Sequence, residues 1–230
     1  MSQSAGNSGA AAPTFRQLTT PRAAALAGVL FAVLFGAVLI LIRTKMPEGV
    51  QGSADWLSSR RSGIAAATVL MPFAGISFLW FMGVVRDGFG RYEDRFFSTV
   101  FLGSGLLFLA MMFVSMSLAA GLVAANTAGA DAAAHTETIA FAKLTVLSSS
   151  KTYATRMAAV FMMSLATIWL RTGLMPRWMV IASYVVALAQ LIASDVSMWV
   201  TMAFPAWVLV VSGLLLARAG LFEKLRDRLD

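Results

Sequence analysis

Six apolar stretches, most of them long enough to cross a bilayer as helices, fill this chain of 230 residues and leave little else to fold. Hydrocarbon offers the backbone no water, so a spanning segment has to satisfy its own N–H and C=O groups as a helix or a closed barrel. Continuous apolar runs of roughly 17–25 residues fit helices, whereas barrel strands need only about ten. The stretches run about Ala23–Ile42, Gly63–Val85, Phe97–Ala124, Tyr153–Leu170, Trp178–Ala193 and Met198–Leu216. The chain is therefore expected to form an all-α, polytopic transmembrane helical bundle. Six spans are predicted, with five as the alternative if one of the last three, shorter stretches lies on the membrane or folds back.

Composition agrees with lipid as the solvent. The chain is 59% hydrophobic and 13% charged, against about 25% charged for a soluble domain. Its net charge of +7 does not point to nucleic acid, because the basic residues sit at the ends of the spans. There they meet membrane lipids and set orientation. The absence of cysteine removes disulfides, thiolate nucleophiles and Cys-based zinc sites. No nucleotide loop, catalytic triad or cofactor box is present, so no cofactor is assigned. The paired methionines Met111–Met112 and Met162–Met163 read as packing in irregular gaps.

Three parts follow along the chain. Residues 1–15 form a polar tail expected to be disordered, 16–221 the helical domain and 222–230 a charged tail that extends the last helix into water. With the N-terminus inside, eleven Lys and Arg fall on the inner side and seven on the outer. The positive-inside rule then places both termini in the cytoplasm of a cell-membrane, multi-pass protein. Short turns at Arg171–Arg177 and Ser194–Ser197 predict that the last three spans pack as antiparallel neighbours. Asp195 or Ser197 is expected to cap the last span.

Two outer loops are expected. In Arg43–Arg61, Trp56 and Leu57 beside Arg60 and Arg61 suggest a short interfacial helix. The longer loop, Asn126–Thr152, carries Asp131, His135 and Glu137. Two carboxylates and an imidazole are the donor set of a divalent metal, but their spacing lacks the specificity of HExxH. A solvated surface is the plainer reading. Its partly apolar stretch Thr138–Leu147, which holds Lys143, is expected either to dip into the interface or to lengthen the fourth span toward the outside, and a loop of this length is also a candidate for covering the outer mouth or docking a partner.

The densest charge lies in the turn from Arg86 to Arg95. Its glycines break the helix, and Glu93 and Asp94 open the next one at the positive end of its dipole. Asp87, Gly90, Arg91, Asp94 and Arg95 form a candidate cytoplasmic hinge, whose plainest role is to fix the angle between the second and third spans. Gly83, Asp87, Gly90 and Arg91 resemble the loop signature between the second and third helices of major facilitator transporters. That resemblance implies that Asp87 braces a neighbouring helix and takes part, with Arg91, in gating alternating access. Gly88 and Tyr92 stand where that family has basic residues, and six spans would need to pair to match its twelve. In overall character the chain is similar to small actinobacterial polytopic membrane proteins, Ala- and Arg-rich with charged short turns.

No charged side chain is expected deep in a span, since Arg156 lies about one turn inside the fourth and can snorkel. The interior polar candidates are hydroxyls and one amide: Ser104, Ser115, Ser164 and Gln190. Either they hold helices together or they line a path. Three readings follow. The first is a structural, scaffolding or accessory protein of a membrane complex, with protein subunits or self-association. The second is a transporter or channel subunit acting as a homo-oligomer, and the third a metal-dependent membrane enzyme.

Overall fold

The computed structural model describes residues 20–46, 55–87, 95–125, 132–193 and 198–226; within these, the side chains of 20–21, 24, 55–59, 95, 125, 132–136, 198 and 219–226 lie outside the description. The first helix, α1, runs Thr20–Lys45; α2 runs Asp55–Asp87 and α3 Arg95–Ala125. Next, α4 (Ala132–Ser148) passes through a π turn at Ser149–Ala154 straight into α5 (Thr155–Thr172). Then α6 covers Arg177–Ala193, and a 3₁₀ turn at Met198–Met202 leads into α7, Ala203–Arg226.

Among the described residues five apolar helical stretches are long enough to cross a membrane: Ala25–Lys45, Arg60–Asp87, Phe96–Ala124, Glu137–Thr172 and Trp199–Arg218. The sixth apolar helix, α6, has 17 residues and rises about 25 Å at 1.5 Å per residue, a little under the roughly 30 Å hydrocarbon core. The chain is thus a multi-pass, all-α membrane protein.

Cross-helix contacts fix the directions. The Lys45 side chain lies over Gly63, joining the end of α1 to the start of α2, while Phe81 and Ser212 crowd Gly28 near the other end. Phe113 covers Gly75, and Met82 covers Gly105, so α3 runs antiparallel to α2. Thr167 of α5 meets the Tyr184 hydroxyl of α6 at 2.6 Å, and Trp207 of α7 reaches Ser183 of α6. Both ends of the described chain therefore lie at one end of the bundle, here the terminal end; the other is the far end.

Three expectations need correction. Within the expected loop Asn126–Thr152 the described residues are helical: residues 132–148 form α4, and the apolar helix reaches from Glu137 to Thr172, so of the two expectations for Thr138–Leu147 it is the lengthened fourth span that the structure has. The polar run of serines, lysine and threonine looks like a connection, yet Ile139, Val146 and Leu147 are buried, and α4 packs along α3. Packing thus overrides a weak local preference. Second, Trp56 and Leu57 belong to the first turn of α2, not to a separate interfacial helix. Third, the last three spans do not simply stack in sequence order, because α6 packs along α5 whereas α7 packs chiefly along α1. The caps expected at Asp195 and Ser197 lie outside the described residues.

The centre is aromatic. Phe31 and Phe35 of α1, Phe78 of α2, Phe108 of α3, Phe161 of α5 and Phe204 of α7 are all at most 2% exposed. Ring centroids stand 4.6 Å apart for Phe31–Phe78, 4.9 Å for Phe108–Phe204 and 5.2 Å for Phe78–Phe161. Lipid tails are as apolar as these rings, so what holds them is close contact and ring geometry rather than escape from water. Each such pair contributes about 0.5–1.5 kcal/mol.

Candidate functional site

The polar groups of the interior separate into places with different tasks. A hydroxyl in a helix easily bonds the carbonyl one turn back. Ser104 does so to Val100 at 2.7 Å and Ser164 to Val160 at 2.8 Å. Both are buried, and both serve their own helices. Ser115 and Gln190 instead reach neighbouring elements. The four side chains proposed as a polar lining are therefore not brought together.

The first polar place surrounds the π turn. A turn that shifts ladder bonds from i−4 to i−5 disturbs the backbone pairing at its edges, and such turns recur at functional sites. Here hydroxyls supply the donors. Ser115 Oγ, on α3, donates to the Val146 carbonyl at 2.9 Å; Ser150 Oγ donates to Leu147 at 3.3 Å; and Thr155 Oγ1 donates to Ser150 at 3.2 Å. Ser149, Ser150 and Thr155 are buried. One turn before Val146 lies Lys143, only 5% exposed, and Arg43 near the far end of α1 is 7% exposed. Neither burial is legible in the sequence, where Arg43 opens one expected loop and Lys143 lies within the other. Arg156 is half-buried. It lies not one turn into a span but well inside the longer helix. At sixteen residues before Thr172 it stands about 24 Å from the terminal end, still within reach of the opposite headgroups.

The second place is the seam of α5, α6 and α7. Ser183 Oγ accepts the Trp207 indole N–H at 2.8 Å and donates to the Met179 carbonyl at 2.7 Å. Gln190 is fully buried, its Nε2 donating to Val200 in the 3₁₀ turn at 3.4 Å while its Oε1 has no partner among the described residues. The Ser183–Trp207 pair escapes a sequence reading because a serine and a tryptophan twenty-four residues apart carry no spacing signal.

The third place is the turn between α5 and α6. Gly173 ends α5 in the left-handed region, at φ 66°, and returns its N–H to Trp169 at 2.9 Å. A side chain there would be strained, so glycine is what makes the turn this short. Pro176 then accepts the first helical N–H of α6, from Met179 at 3.0 Å. Arg171 lies with its guanidinium carbon 4.8 Å from the Phe97 ring centroid, and Arg218 of α7 donates through Nη1 to the Leu174 carbonyl.

Of the expected hinge, Asp87 ends α2 and is exposed, Arg95 opens α3 with its side chain outside the description, and Gly90, Arg91 and Asp94 lie outside the described residues. Of the metal candidates, Glu137 is exposed on α4, His135 falls in the first turns of α4 with its side chain outside the description, and Asp131 lies outside the described residues. Among the described residues no three His, Cys, Asp or Glu side chains gather as a metal site would need. None of the protein-family models, curated proteins or solved structures compared with this chain matches it.

Proposed function

We propose that the protein acts as a closed bundle, a structural, scaffolding or accessory part of a membrane complex rather than a conduit. The observation that carries this is the aromatic cluster: rings from α1, α2, α3, α5 and α7 fill the axis where a path would run. The interior hydroxyls support it too, since Ser104 and Ser164 are committed to their own helices. We also place both termini in the cytoplasm, on the excess of Lys and Arg at the terminal end.

Cysteine scanning tests this cleanly, because the chain has no cysteine of its own. Single cysteines at Ser104, Ser115, Ser164 and Gln190 in proteoliposomes should resist a charged, water-soluble thiol reagent. One at the exposed Glu137 should react. Labelling of all four interior positions would instead establish a water path and favour the transporter reading. Cross-linking and mass spectrometry of the purified protein should in parallel recover a specific subunit or a second copy.

A further inference from the structure

The apolar helices ring the aromatic centre. Helix α1 packs on α2 and α7, α3 packs on α2 and α5, and α6 packs on α5. The Ser183–Trp207 bond closes the ring between α6 and α7. Counted either way round, α2 stands three helices from α6, so the two face opposite sides of the bundle.

Their apolar heights differ. The stretch Arg60–Asp87 of α2 has 28 residues, a rise of about 42 Å. Helix α6 has 17 residues, a rise of about 25 Å against a hydrocarbon core of roughly 30 Å. A long helix fits a thinner bilayer by tilting. Tilting only shortens a helix's reach, so α6 has no such remedy. Nor does its apolar stretch extend at either end, because Arg177 opens it and Asp195 follows two residues after it closes.

Two tryptophans mark the same shortfall. Trp178, in the first turn of α6, is 56% exposed, and Trp199, in the 3₁₀ turn, is 59% exposed. The Gln190–Val200 bond sets Trp199 level with the last turn of α6. Gln190 follows Trp178 by twelve residues, a rise of about 18 Å. Exposed tryptophans favour the boundary between headgroups and acyl chains, so on this side the two boundaries draw together. Ile181, Val185 and Leu188 lie exposed between them, and their spacing of four and three residues makes one outward stripe.

We propose that the α6 face binds phospholipids with short acyl chains, and that the bilayer there thins by about 5 Å to meet it. The α2 face takes chains of ordinary length. Selection is by length alone, since the stripe offers hydrocarbon and no charge.

Fluorescence quenching by brominated lipid tests this in the full chain, which has no cysteine of its own. A fluorophore is attached at Val185→Cys on α6, or at Ile76→Cys on the exposed side of α2. Each variant is reconstituted with brominated dioleoylphosphatidylcholine mixed with either dimyristoleoyl- or dierucoylphosphatidylcholine. At Val185 the shorter lipid should displace the brominated one about threefold more effectively than the longer, a scale set by the small cost of each ångström of mismatch. At Ile76 the shorter lipid should have no advantage. Ile181→Cys, on the same stripe, should repeat the result of Val185→Cys, which guards against local damage at one position. The same preference at both faces, or an advantage for the longer lipid at α6, would overturn the assignment. So would the absence of quenching at both Val185 and Ile181, which would mean that protein and not lipid covers the stripe.

Discussion

Ser115 Oγ on α3 donates to the carbonyl of Val146 on α4 at 2.9 Å, just ahead of the π turn. Both residues are fully buried. The bond ties the segment that looks most like a loop to the middle of the bundle. Ser115→Ala should lower stability by about 0.5–1.5 kcal/mol, seen as a lower melting temperature in detergent. A melting temperature equal to the wild type's would mean that α4 is held by packing alone.

Gly28 allows α1, α2 and α7 to meet. A Cβ there would collide with Ser212 Oγ and come within 2.7 Å of the Phe81 ring. Gly28→Ala should therefore cost about 1–3 kcal/mol through overpacking. Gly36, on the same helix, has open space at its Cβ position. Gly36→Ala should be neutral or stabilising by up to about 1 kcal/mol. Parallel melting curves of the two variants decide the matter, and equal shifts would contradict it.

The aromatic centre should respond steeply. Phe108 contacts Phe35, Phe78 and Phe204, with centroids 4.9–5.4 Å away. Phe108→Ala should cost about 3–5 kcal/mol by leaving a cavity, whereas Phe108→Leu should cost less. The same variant bears on the closed-bundle reading: if removing the ring lets a thiol reagent reach a cysteine at Ser104, the cluster is the seal.

Gln190 should be replaceable. Its Nε2 bond to Val200 is long, and its buried Oε1 has no described partner. Replacing a poorly paired buried amide with an apolar side chain of similar size is often nearly neutral. Gln190→Leu should thus change stability by less than about 1 kcal/mol, while Gln190→Glu should be clearly destabilising. A large loss in Gln190→Leu, measured by chemical unfolding in detergent, would show that the amide carries more than this geometry suggests.

Much of the architecture could be read along the chain. Apolar runs such as Ala23–Ile42 and Gly63–Val85 anticipate α1 and α2 because an isolated backbone in lipid has few alternatives to a helix. The glycine and proline of the Arg171–Arg177 turn likewise anticipate the break between α5 and α6. The run from Ser148 to Thr152 leaves it open whether Thr138–Leu147 joins the fourth span, because hydroxyl side chains offer the backbone competing local bonds. Only contact with α3 tips that balance.

What the sequence alone determined is the solvent of this protein and the number of its apolar helices, since both depend on local hydrophobicity and length. Tertiary structure decided which helices touch: that α7 lies on α1, that Trp207 finds Ser183, and that Arg218 reaches the Leu174 carbonyl. Those pairings depend on side-chain shape between segments far apart in the chain. In lipid, where every helix surface is nearly equally apolar, shape and the few polar contacts are what distinguish one packing from another.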